Sequence, residues 1–141
     1  MTESGIEQAE QALVDEFAMF DNWLDRYQYL IDLGRQLPDY PDAERLDSDK
    51  VAGCQSQVWF QASLEQGRLQ FRAISDAAIV SGLIAVLLRL YDDQPAQAIV
   101  DYEPRFIAAL GLDKHLSPSR ANGLHAMLTR IRDSARGALA A

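Results

Sequence analysis

Between residues 6 and 36, Ile6, Leu13, Phe17, Phe20, Leu24, Tyr27 and Ile31 recur at spacings of three, four or seven, the apolar stripe of an amphipathic helix. Asp21 and Asn22 are cap-type residues inside that stripe, with Asp25 three residues after Asn22, so the segment reads as one helix or as two joined there. Leu37-Pro38 ends the pattern, because the residue before a proline is pushed out of helical geometry. Residues 38–50 are rich in Pro and Asp and read as an irregular connection. Residues 57–65 then alternate, with Val58, Phe60, Ala62 and Leu64 on one face and Gln57, Trp59, Gln61, Ser63 and Glu65 on the other. Residues 68–74 alternate as well, and Gln66-Gly67 between the two runs predicts an antiparallel hairpin whose glycine supplies a positive φ. A lone hairpin is marginal, so helices must cover its apolar face.

A helix from Ser75-Asp76 to about Tyr91 is apolar nearly all round and reads as the central core element. Ser75 suits its cap and Asp76 its positively polarised start. Pro95 and Pro104 suit first helical positions of two short helices, the second stopping at Gly111. Ser117-Pro118 opens a last helix carrying Ala121, Leu124, Leu128, Ile131 and Ala135 at helical spacing, with Gly137 near its end. This segregated order predicts an α+β fold, a small antiparallel sheet packed against helices, with a third short strand near Lys50 to Ala52.

Length changes little in that picture: 141 residues make one domain, 1–141, and a chain of this size buries roughly 70% of its unfolded surface without staples. Charge excludes more. Thirteen Lys and Arg against twenty-one Asp and Glu leave −8, which gives no general attraction to phosphate backbones, so nucleic acid is not an expected partner. Residues 1–10 are acidic and polar, without a basic start or apolar core, so no targeting segment is read there. The longest strongly apolar run, Ala77 to Leu88, is too short to span a bilayer. The expected setting is the reducing cytoplasm, with no membrane contact.

One cysteine permits no internal disulfide and no four-cysteine metal site. A lone cysteine is ordinarily an inert small hydrophobe. Cys54, however, is preceded by Gly53 and followed by Gln55, Ser56 and Gln57, where an irregular segment runs into a strand. Such loops concentrate function, and Gly53 lets the backbone turn sharply and a partner come close. His115 and His125 are ten apart and match no metal-ligand spacing. Either one meeting Cys54 in space would make a cysteine hydrolase. Arg120 sits in the first turn of the last helix, where a cation is mildly disfavoured; it is either solvated there or faces an anion. Asp39, Asp42, Glu44, Asp47 and Asp49 read as a solvated loop, and Trp59 as a lid over a helix contact or an exposed interface aromatic.

Gly53-Cys54-Gln55-Ser56-Gln57-Val58-Trp59 resembles the signature of the SufE family of sulfur-acceptor proteins. Ser75-Asp76-Ala77-Ala78-Ile79-Val80 with Gly82-Leu83-Ile84-Ala85-Val86 resembles that family's central helix. His115-Leu116-Ser117-Pro118-Ser119-Arg120 with Gly123-Leu124 resembles the start of its last helix, and Tyr27 to Pro38 its second helix. The likeness spans roughly residues 20 to 135. It implies a fold like that of IscU-type scaffolds and a partnership with a SufS-type cysteine desulfurase. That partner carries the pyridoxal phosphate, so this chain needs no cofactor and no metal. Cys54 would accept persulfide sulfur, stimulate the desulfurase, and pass the sulfur toward a downstream Fe–S assembly scaffold. Gln55-Ser56-Gln57 leans toward a Suf-type rather than a Csd-type partner. A single thiol suits a carrier, since a second nearby would close a disulfide and release the sulfur. The chemistry of that transfer leads us to expect that Arg120 and nearby backbone N–H groups favour the thiolate, that the resting thiol is tucked against apolar neighbours, that Asp76, at the hairpin-to-helix junction, lies near the loop, and that the acidic surface steers docking. The rival readings are a cluster or metal scaffold of similar fold and a cysteine enzyme acting alone. Monomer and weak homodimer both stay open.

Overall fold

The computed structural model describes residues 5–140. Helices α1 (Gly5–Phe17) and α2 (Trp23–Arg35) are separate. The break is set by Asn22, whose side-chain oxygen accepts the Asp25 N–H at 2.9 Å. That cap re-phases the second helix, so Leu24, read as part of one continuous stripe, is 76% exposed, while Leu30 and Gly34 turn inward. The acidic connection folds into two 3-10 turns, Asp42–Glu44 and Asp47–Asp49. Its carboxylates pair outward, Asp42 with Arg45, Asp47 with Lys50 and Glu44 with Arg72.

Strands β1 (Val58–Glu65) and β2 (Arg68–Ser75) form the hairpin in register from Val58 opposite Ser75 to Glu65 opposite Arg68. Its turn places Gln66 at φ 54° and Gly67 at φ 78°, both in the left-handed region. Helix α3 (Ala78–Tyr91) runs back beneath, followed by β3 (Gln94–Pro95), α4 (Ala96–Asp101), α5 (Phe106–Ala109), α6 (Leu112–His115) and the long α7 (Pro118–Ala140). The fold is α+β with an antiparallel sheet in the order β1-β2-β3.

Several expectations need correcting. The third strand is not at residues 50–52; there, Lys50 makes one isolated bridge to Trp59, and the third strand is Gln94–Pro95 on the other side of β2. Pro95 therefore ends a strand and caps α4 rather than opening it, and Pro104 stands two residues before α5, next to its N-cap Arg105. Ser75 is the last residue of β2, and the N-cap of α3 is Ala77. Gly137 lies inside α7. Trp59 is 7% exposed, covered by the guanidinium of Arg45 at 5.3 Å and the ammonium of Lys50 at 5.8 Å from its ring centroid. Ala62 and Leu64 sit on the apolar face of β1, yet both are exposed, because the covering helices do not reach the hairpin tip.

The core gathers around α3, whose Ile79, Leu83, Ile84, Val86, Leu87 and Leu90 are buried. Helix α2 approaches it backbone to backbone. A Cβ built on Gly82 would stand 2.3 Å from the Leu30 carbonyl oxygen, and one on Gly34 would stand 2.6 Å from the Gly82 nitrogen. Only glycine at both positions permits that spacing.

Candidate functional site

Cys54 sits where the loop after Val51 turns into β1. Gly53 makes the turn possible at φ +88°, and a Cβ there would lie 3.5 Å from that of Ala126 on α7. The far end of the loop is clamped at Gln57. Its N–H donates to Asp76 Oδ1 at 3.0 Å, while its carbonyl accepts from Ser75 Oγ at 2.8 Å and from the Asp76 N–H at 3.3 Å. Asp76 thus belongs to the anchoring of the loop more than to the start of α3, and Ser75 divides itself between Gln57 and the Ala77 N–H.

Between its two fixed ends the loop lays Cys54 against α7. The thiol donates to the Gly123 carbonyl at 3.8 Å, and a Cβ on Gly123 would reach within 3.6 Å of Sγ. Sγ occupies a cleft of about 280 Å³ whose floor is Val80, Leu83, Leu124 and Met127 and whose rim is Gln55, Ser56, Ser117, Ser119 and Arg120. The thiol is half-buried, and burial pushes its pKa up from the ordinary cysteine range. At rest the neutral thiol is the favoured form. Arg120 is exposed on the rim and contributes its backbone N–H to Ser117 Oγ at 3.4 Å; its guanidinium makes no bond to Sγ.

The structure therefore brings Cys54, Gln55, Ser56 and Arg120 to one cleft, with Gly53 behind it and Asp76 fixing its entrance. Gly123, Ser119 and Met127 also form the cleft without having been assigned a role from sequence. Gly123 falls in the second turn of the helix opened by Ser117-Pro118, and its lack of a side chain leaves the carbonyl within reach of Sγ. His115 stacks on Trp23 at 4.5 Å between ring centroids, and His125 is exposed on α7. Neither is bonded to Cys54, which gives a hydrolytic Cys–His pair no geometry here. Among the described residues no three His, Cys, Asp or Glu side chains come together as a metal donor set. What the cleft offers chemically is one covered nucleophile, a cationic rim and room above the sulfur.

A raised thiol pKa has a direct consequence. In the native protein, alkylation of Cys54 by iodoacetamide should rise with pH through a midpoint above the roughly 8.5 of an ordinary cysteine. In strong urea the midpoint should return to that range, and at pH 7 the native rate should be several-fold slower. Intact mass against time across a pH series reads both.

The sequence profile of a family described as "SufE: Fe-S metabolism associated domain" matches residues 11–135. The chain is 42% identical over 134 residues to an uncharacterized SufE-like protein of Rhizobium meliloti (strain 1021), a match covering 92% of this chain and 96% of that one. Its fold is similar to the solution structure of a hypothetical protein from Thermus thermophilus, with a TM-score of 0.76 and 24% identity, over 94% of this chain and 97% of that one.

Proposed function

Because this chain belongs to the SufE family, which is associated with Fe–S metabolism, we propose that it is a sulfur carrier. In this reading it takes persulfide sulfur from a SufS-type cysteine desulfurase onto Cys54, stimulates that enzyme, and releases the sulfur to an Fe–S assembly scaffold in the cytoplasm. The observation that supports this most is the setting of the one thiol: half-buried at rest, in a loop held at Gln57, beneath a cationic rim.

The transfer is a thiol exchange. The Cys54 thiolate attacks the outer sulfur of the donor's persulfide, a new S–S bond forms on Cys54, and the donor's own S–S bond breaks. The donor cysteine leaves as a thiolate and takes up the proton that Cys54 released, so nothing is oxidised or reduced overall. The attack needs a thiolate, which the resting cleft disfavours. The residues between Gly53 and Gln57 therefore have to swing out toward the donor, and on leaving the apolar floor the thiol loses the burial that held it protonated. Arg120 and the first turn of α7 are the positive groups placed to meet the anion. The cleft then shelters the loaded sulfur, and the absence of a second cysteine in the chain prevents its loss through an internal disulfide.

The test is intact mass after incubation with a type II cysteine desulfurase, pyridoxal phosphate and L-cysteine. A gain of about 32 Da, one sulfur atom, mapped to Cys54 and accompanied by faster sulfide release under reductant, is the expected result. A folded chain that neither gains mass nor stimulates an active desulfurase overturns the reading.

A further inference from the structure

Gly123 stands on the buried face of α7, and nothing in the resting fold calls for a glycine there. Its backbone is helical, without the positive φ that Gly53, Gly67 and Gly111 adopt. No neighbouring backbone crowds it as that of Leu30 crowds Gly82. Outside its own helix, a Cβ built on Gly123 would meet a single neighbour within 4 Å, the Cys54 Sγ at 3.6 Å, which is an ordinary contact distance. An alanine would therefore fit beside the thiol, and alanine is the better helix former. What Gly123 leaves empty is a space beside one atom, the sulfur that reacts.

We propose that Gly123 is a positioning residue for the loaded carrier: the place of its missing side chain is the seat of the outer sulfur that Cys54 holds after transfer. The inference rests on the carrier reading above. An S–S bond is about 2.05 Å long, so an outer sulfur turned toward Gly123 would lie where the methyl of an alanine would be. Taking 3.4 Å as the shortest ordinary contact, that methyl would deny the outer sulfur every direction within about 70° of the line from Sγ to it. At rest the thiol donates to the Gly123 carbonyl at 3.8 Å. Once loaded, the inner sulfur carries a second sulfur in place of its proton, so that contact has no donor. The side chain is then free to turn its outer atom into the gap. Arg120, three residues earlier and so on the same side of the helix, lines the same cleft, as do the apolar Leu124 and Met127. The seat thus distinguishes two states of one residue. The thiol tolerates a methyl at position 123, and the persulfide does not.

The test loads Cys54 chemically, with sodium tetrasulfide and no desulfurase. The thiolate attacks a terminal sulfur of tetrasulfide, one S–S bond forms, one breaks, and trisulfide leaves. Dithiothreitol then removes the outer sulfur as hydrogen sulfide and is itself oxidised to its cyclic disulfide; intact mass follows the loss of about 32 Da. Loaded Gly123→Ala should lose its sulfur several-fold faster than the loaded unmodified chain. Its resting thiol should react with iodoacetamide at the unmodified rate and with the same pH midpoint. Gly137→Ala adds a methyl to the same helix where nothing lies within 4 Å, and should match the unmodified chain in both measurements. Equal sulfur loss from the two loaded chains overturns the proposal. So does a faster-reacting thiol in Gly123→Ala, which would mean that the methyl merely pushes the loop out. Since this loading needs no partner, a failure to accept sulfur from a desulfurase would count against the carrier reading, while the comparison of loaded chains still decides on Gly123.

Discussion

Cys54→Ser should give a folded protein that accepts no sulfur at all. A serine hydroxyl is scarcely ionised at neutral pH and forms no S–S bond, so the exchange has no nucleophile. The structural consequence is small. The thiol makes one long contact, 3.8 Å to the Gly123 carbonyl, and serine has nearly the same shape. Thermal melts should therefore agree within about 1 kcal/mol of stability. With desulfurase and L-cysteine, the variant's intact mass should stay unchanged and sulfide release should fall to that of the desulfurase alone. Full stimulation by the serine variant would show that the chain acts by binding only, and that Cys54 is not where sulfur rests.

The second large effect concerns the crossing of α2 and α3. Gly82→Ala sets a methyl carbon 2.3 Å from the Leu30 carbonyl oxygen and 2.6 Å from its carbon, and neither atom belongs to a side chain that can swing away. The two helices must part along their buried length, opening the contacts of Leu30, Leu83 and Val86. A loss of about 3 kcal/mol or more is expected, a large share of the stability of a domain this size. The midpoint of thermal unfolding should fall by roughly 10 °C. Gly137→Ala is the counterpart. It lies within α7 with nothing within 4 Å of its would-be Cβ, so the same substitution should stabilise by up to about 0.5–1 kcal/mol through helix propensity. Urea titrations of the two variants read opposite signs from one chemical change, and equal shifts would contradict the packing argument.

The elements that sequence reveals well are those whose signal is local. The Asn22–Asp25 cap, the Gln66-Gly67 turn and the apolar run of α3 each carry their reason within a few residues. What stayed hidden depends on which other segment is near. Alternation in β1 marks two faces, but not that the helices stop short of Ala62 and Leu64, nor that Arg45 and Lys50 cover Trp59 on the polar face. The strand at Gln94–Pro95 is two residues long and carries no period to read. The pairing of Gly34 with Gly82 joins two glycines that look like ordinary interruptions of separate helices. At the site, the Cys54 loop with Arg120 was legible from residues and resemblance. Asp76 was expected near that loop, and the β2–α3 junction shows how it holds it, through the Gln57 N–H; the acceptor at Gly123 emerges only when α7 is set beside the loop.

The cover over Cys54 comes from far along the chain: Gly123 is 69 residues downstream. A ribosome adding 5–20 residues per second needs on the order of ten seconds to make that stretch. Through that interval the nascent chain carries its only thiol without the helix that shields it. The newborn protein is therefore at its most vulnerable to oxidants and alkylating agents before its last helix is made, and cysteine damage in a stressed cell should fall first on chains still being translated.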